Sequence, residues 1–134
     1  MKEELANQHR RLKARFDILK REYDLAMLGP TIRKWRGLSE VRESHIVWPE
    51  LSSIILEMDM IALHFYGANI GDPVRLIGKR YGGTMAKIEG VEVASWYGLR
   101  FSPLGRKPRI AVRSPRGSRP VLISGSLWEL ATQF

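Results

Sequence analysis

Arg100, Arg106, Lys107, Arg109, Arg113, Arg116 and Arg119 fall in a stretch that holds no Asp or Glu between Glu92 and Glu129. A guanidinium fork engages two phosphate or carboxylate oxygens at once, so this grouping carries chemistry for an anionic partner. Gly and Pro surround Arg106, Lys107 and Arg109, and the segment SPRGSR holds Arg116 and Arg119. Such residues make loops and let a ligand approach the backbone closely. Apolar runs interrupt the charges, as in Arg109-Ile-Ala-Val-Arg113 and Pro120-Val-Leu-Ile123, and a solvated tail would lack them. If these two runs pair as a hairpin, Arg116 and Arg119 stand at its tip. A second basic group, Lys79-Arg80-Tyr81, lies in the glycine-flanked sequence GKRYGG. Tyr81 and Tyr97, each beside a glycine, offer faces that stack on exposed bases. Trp96 and Phe101 lie near the same loops as stacking faces or as core, and the alternation in VEVASW favours core for Trp96.

Catalytic groupings are sparse. His9, His45 and His64 are isolated and lack metal-ligand spacing, and His64 reads as a buried, satisfied side chain. Lys87, Glu89 and Glu92 resemble part of a nuclease set, but the preceding acidic partner is missing. GKRYGG is not a phosphate-binding Walker loop, and no nucleophile elbow occurs. Without cysteine there are no disulfides, thiolate metal sites or thiol nucleophiles. The expectation is therefore a protein that is not an enzyme, with no cofactor and no metal.

The elements that must position these residues divide the 134-residue chain in two. Residues 1–70 hold eleven bases and ten acids, a net of +1; residues 71–134 hold eleven bases and four acids, a net of +7. A basic half beside a near-neutral half points to an anionic partner for the former. Residues 1–67 read as helical. Leu5, His9, Leu12, Phe16, Leu19, Tyr23 and Ala26 make a heptad seam over 2–28, closed by Gly29-Pro30. The seam serves either as a coiled-coil arm, giving a homodimer through residues 2–28, or as a face packed on its own domain. Pro30 opens a short helix ending near Gly37, with Trp35 as a packing anchor. The HIVW run reads as a short strand or an extended entry, and Pro49 opens the core helix 49–66. Its apolar run is broken by Glu57, Asp59 and His64, so no membrane span is expected. The opening sequence has no apolar signal-peptide core, and a cytoplasmic location is expected.

After Gly67–Gly71 the texture changes to short β-like runs: Val74–Gly78, Met85–Ile88, Val91–Trp96, Arg109–Arg113 and Pro120–Ser124. SLWELATQF reads as one closing helical turn. The fold expected is α+β: a helical N-terminal half, then a basic small antiparallel β-barrel or bent sheet over 71–134, SH3-like in form.

Residues Gly71-Asp72-Pro73-Val74-Arg75-Leu76-Ile77 to Met85-Ala86-Lys87-Ile88, with the glycine-rich basic turn between them, resemble a KOW motif. That family's SH3-like barrels occur in ribosomal proteins and transcription elongation factors and dock onto RNA or proteins through their loops. The resemblance covers about 20 residues; Ala86 stands where the family has a glycine, and one residue is missing before the turn glycine. It implies an SH3-like barrel over 71–124. Gly117 to Ser124 is similar to the Arg-Pro-apolar strand of MazF-type toxin endoribonucleases, but lies farther from the Gly-Asp strand than in that family.

Three functions are thus in view. The first is a non-enzymatic module that holds RNA or DNA phosphates through basic loops. The second is a protein-interaction module, such as a small viral inhibitor or a subunit that binds an acidic surface of a nucleoprotein complex. The third is an endoribonuclease toxin.

Overall fold

A computed structural model describes residues 2–37, 41–91, 101–105, 107–113 and 120–131. The chain is α+β, with a helical N-terminal half followed by a five-stranded antiparallel sheet. Helix α1 spans Lys2–Ala26, α2 Pro30–Trp35 and α3 Ser44–Tyr66. The strands are β1 (Pro73–Leu76), β2 (Met85–Val91), β3 (Ile110–Arg113), β4 (Pro120–Ile123) and β5 (Trp128–Leu130).

The heptad seam of α1 is folded against the protein itself. His9, Phe16, Leu19 and Ala26 are buried, and Phe16 and Leu19 pack with Val47, Leu51, Ile54, Ile55 and Met58 of α3. Of the two expected roles for the seam, packing on its own domain is the one seen: α3 occupies it, and a homodimer through residues 2–28 along that face would have to displace α3. Glu3 and Glu4 occupy the first turn of α1, where the helix dipole favours acids.

Helix α3 begins five residues earlier than Pro49 suggests. HIVW is its first turn, and Pro49 lies inside the helix. An interior proline removes one hydrogen bond and costs about 3 kcal/mol in an isolated helix. Here the upstream turn is retained because Val47 is fully buried and Trp48 packs on Tyr23, with ring centroids 5.7 Å apart. The helix ends at Gly67, whose φ of 98° is left-handed; the Gly67 N–H donates to the His64 carbonyl and the Ala68 N–H to that of Leu63.

The strands run in the order β4-β3-β2-β1-β5. Alternation, reset in β2 by a bulge between Ile88 and Gly90, puts Val74, Leu76, Ile88, Val91, Ile110, Val112, Ile123 and Trp128 into one core with Leu63 and Ala68. β3 and β4 form the expected hairpin, with Ile110 opposite Ile123 and Arg113 opposite Pro120. The rest of Val91–Trp96 lies outside the described residues. The fifth strand is Trp128–Leu130, preceded by a single 3-10 turn at Gly125–Leu127, so the closing helical turn is only three residues long.

The sheet is bent and open rather than a closed barrel. β4 and β5 are its edges, and no ladder joins them among the described residues. The bend is nonetheless strong. β3 and β5 are three places apart, about 14 Å in a flat sheet. Yet the Trp128 indole N–H donates to the Pro108 carbonyl at 3.0 Å, and the Lys107 ammonium donates to the Trp128 carbonyl. These side-chain bonds tie the β5 edge to the chain before β3 without a backbone ladder. Helix α3 serves both cores, with Val47–Met58 in the helical one and Leu63 in the sheet one. No helix among the described residues is long and apolar enough to cross a membrane.

Candidate nucleic-acid interface

The turn between β1 and β2 is held rigidly. Its glycines Gly78, Gly82 and Gly83 take positive φ values of 101°, 56° and 82°. The Gly82 N–H donates to Gly78, the Gly83 N–H to Leu76 and the Leu76 N–H to Thr84, all within 3.0 Å. The Ile77 N–H donates to Leu127 at 2.9 Å, so the turn is also tied to the 3-10 turn. Lys79 and Arg80 stand exposed on this frame. Tyr81, expected as a stacking face, is half-buried against the sheet core, and the Arg80 guanidinium lies 5.6 Å from its ring centroid. Its ring therefore supports Arg80 rather than standing open to a base.

The carboxylates described in the β half are already engaged. Glu89 pairs with Arg113 at 3.1 Å, Glu129 with Arg75 at 3.8 Å, and Asp72 accepts the Asn69 N–H at 2.8 Å. Arg113 is thus partly neutralised across the strands. Lys79 and Lys87 have no such partner among the described residues. Lys107, expected as a phosphate contact, is turned inward: besides its bond to Trp128, its ammonium sits 5.3 Å from that ring's centroid. That ammonium fastens the sheet instead of facing solvent. Arg109 is half-buried. Tyr97, Arg100, Arg106, Arg116 and Arg119 lie outside the described residues.

Antiparallel pairing decides which loops share an end of the sheet. Ile88 faces Val112 and Val91 faces Ile110, so the Arg113 end of β3 lies toward Met85. Arg113 and Pro120, paired across β3 and β4, therefore lie at the same end as the Lys79-Arg80 turn. Lys107 and Arg109 precede β3 and stand at its opposite end.

The helical half holds what the sequence pattern missed. Trp35, expected as a packing anchor, is 86% exposed. Arg33 takes the inward position on α2 instead, donating to the carbonyls of Gly29 and Val41 and to Glu43 at 2.9 Å. Ile32, three residues before Trp35 and on the same outward side, is 48% exposed. Between α1 and the end of α2 lies a surface cleft of about 360 Å³, lined by Asp17, Lys20, Arg21, Asp24, Leu25, Leu28 and Arg36. Asp17 is held by Lys13 at 3.2 Å and Asp24 by Lys20 at 3.0 Å. Arg21 and Arg36 have no side-chain partner among the described residues. Arg42 ties α1 to the chain before α3 through Glu22, and its hydrogen bonds hold the Glu22 carboxyl below its ordinary value.

The buried histidine is His9, not His64, which is exposed. The His9 Nε2–H donates to the Ser102 carbonyl at 3.0 Å, and the Ser102 N–H donates to Asp59 Oδ1 at 2.6 Å. Phe101 packs edge-on against His9 and Phe16, which makes it a core residue. No group of three or more His, Asp or Glu among the described residues is placed to hold a metal. Comparison with protein-family models, curated proteins and solved structures returns no match for this chain.

Proposed function

We propose that this protein is a non-enzymatic binding module that holds the phosphate backbone of RNA or DNA. The basic end of its sheet makes the contact. One observation carries the reading: Lys79 and Arg80 are exposed on a rigid turn, while the described carboxylates of the β half are engaged elsewhere. The positive charge there is uncompensated, and a ligand would meet it without first breaking an ion pair. By sequence, Arg116 and Arg119 are included in the proposed contact, where they would supply further guanidinium forks. The KOW-like sequence over β1 and β2 supports such a role, and the proposal includes a cytoplasmic setting for it.

The test is oligonucleotide binding by the full chain across a salt series. The double variant Lys79→Glu, Arg80→Glu is expected to weaken binding to duplex at least tenfold. It should also flatten the dependence of log affinity on log salt by about 2, since each phosphate contact contributes about 0.9. Unchanged affinity and slope would remove the turn from the interface. An acidic protein surface could meet the same cations. Wild-type protein that ignores oligonucleotides at low salt but binds an acidic polypeptide would transfer the site to that second reading.

A further inference from the structure

We propose that Trp35, with Lys34 and Arg36, is a stacking site for an unpaired base, so that the protein takes single-stranded nucleic acid across its helical half. The inference rests on the nucleic-acid reading above and adds the ligand's strand state and a second contact surface.

An indole 86% exposed has lost little surface on folding and contributes little to stability. It makes no ring contact or hydrogen bond with another described residue. Its sequence neighbours Lys34 and Arg36 are both exposed, and neither is ion-paired among the described residues. An open π-face with an unpaired cation one residue before and one after it in the chain answers the two needs of a single strand, a platform for the base and charge for its phosphates. A duplex keeps its bases stacked on one another and offers nothing to that face.

The neighbouring cleft extends the same chemistry. Both carboxylates that line it are held by lysines four residues earlier on α1, which leaves Arg21 and Arg36 as its uncompensated charges. A strand stacked on Trp35 would run over Arg36 toward Arg21, with its sugars above Leu25 and Leu28. The aromatic residues described in the β half are unavailable for this role. Trp128 is fully buried and Tyr81 is half-buried beneath Arg80, so the sheet offers charge while α2 offers the open ring. The occupant is argued from charge. An apolar protein partner would have to leave Lys34 and Arg36, the exposed cations beside Trp35 in the sequence, without counter-charge.

The test compares a fluorescently labelled oligo-dT, a duplex of equal length and an abasic phosphodeoxyribose strand against wild type, Trp35→Ala and Trp35→Phe. Wild type should prefer the oligo-dT over the abasic strand by about tenfold, within the range of one base–aromatic stack. Trp35→Ala should abolish that preference and leave duplex affinity unchanged, while Trp35→Phe should keep most of it. Because Trp35 is so exposed, both variants should retain the wild-type melting temperature within about 2 °C. If Trp35→Ala binds oligo-dT as wild type does, the stacking site is overturned while the phosphate-binding reading stands. If wild type binds none of the three, both fall. Binding of poly-glutamate that Trp35→Ala loses, without any oligo-dT preference, would assign the patch to an acidic protein and overturn the proposal.

Discussion

At the scale of single residues, the buried polar chain His9–Ser102–Asp59 is the most consequential detail outside the basic surface. It fixes the segment 101–105 on the two long helices, and each hydrogen bond in it is shielded from water. Replacing Asp59 with Leu leaves the Ser102 N–H buried without that acceptor. The expected loss is about 1–3 kcal/mol, read as a lower urea midpoint at unchanged slope. A midpoint equal to wild type would show that Ser102 finds another acceptor. Residue roles were unevenly legible from sequence. The α1 seam was readable because its seven members repeat, and all seven are at least partly buried. Trp35 and His64 were misread because each is a single residue whose burial depends on what packs above it. The bond from Lys107 to Trp128 was not legible because a lysine's stem can reach inward as easily as outward.

At the scale of elements, the bent sheet depends on how closely the chain before β3 meets the chain before β5. A Cβ on Gly125 would lie 2.2 Å from the Lys107 carbonyl oxygen, a backbone atom that cannot swing aside. Gly125→Ala should therefore destabilise the protein by about 1–3 kcal/mol, as overpacking does. The thermal transition would report the loss, and an unshifted transition would show that the two segments can part freely. The need for this glycine arises from an approach between positions 18 apart, which no local pattern encodes. The same holds for β5. Trp128–Leu130 is too short to show alternation and acquires strand form by pairing with β1, Leu76 opposite Trp128. HIVW was ambiguous for a related reason: its β-branched residues favour a strand, and burial against α1 outweighs that preference. Long periodic helices and the β3–β4 hairpin were legible because their patterns are local.

At the scale of the molecule, α3 is common property of the two cores. Met58 belongs to the helical cluster and Leu63, five residues on, to the sheet cluster. Loosening one core should therefore loosen the other. A Leu63→Ala variant, which hollows the sheet core, is expected to lose about 2–5 kcal/mol. Hydrogen exchange should then accelerate in α1 as well as in the strands. Acceleration confined to the strands would show that the halves open independently. The division into a near-neutral half and a basic half was plain in the sequence, and the α+β order follows it. The sharing of one helix between the halves was not, because a helix apolar most of the way round does not say what covers each side.

Strand order has one more effect, felt during synthesis. β1 pairs on one side with β2, which follows within about a dozen residues, and on the other with β5, where Val74 meets Leu130. At 5–20 residues per second, a ribosome needs roughly 3–11 s to travel between those two positions. Throughout that interval the nascent protein has a complete helical layer and a sheet whose inner strand presents a bare edge. Whatever guards that edge, whether a chaperone or the charge of Arg75 and its neighbours, acts before the basic surface exists as a finished site.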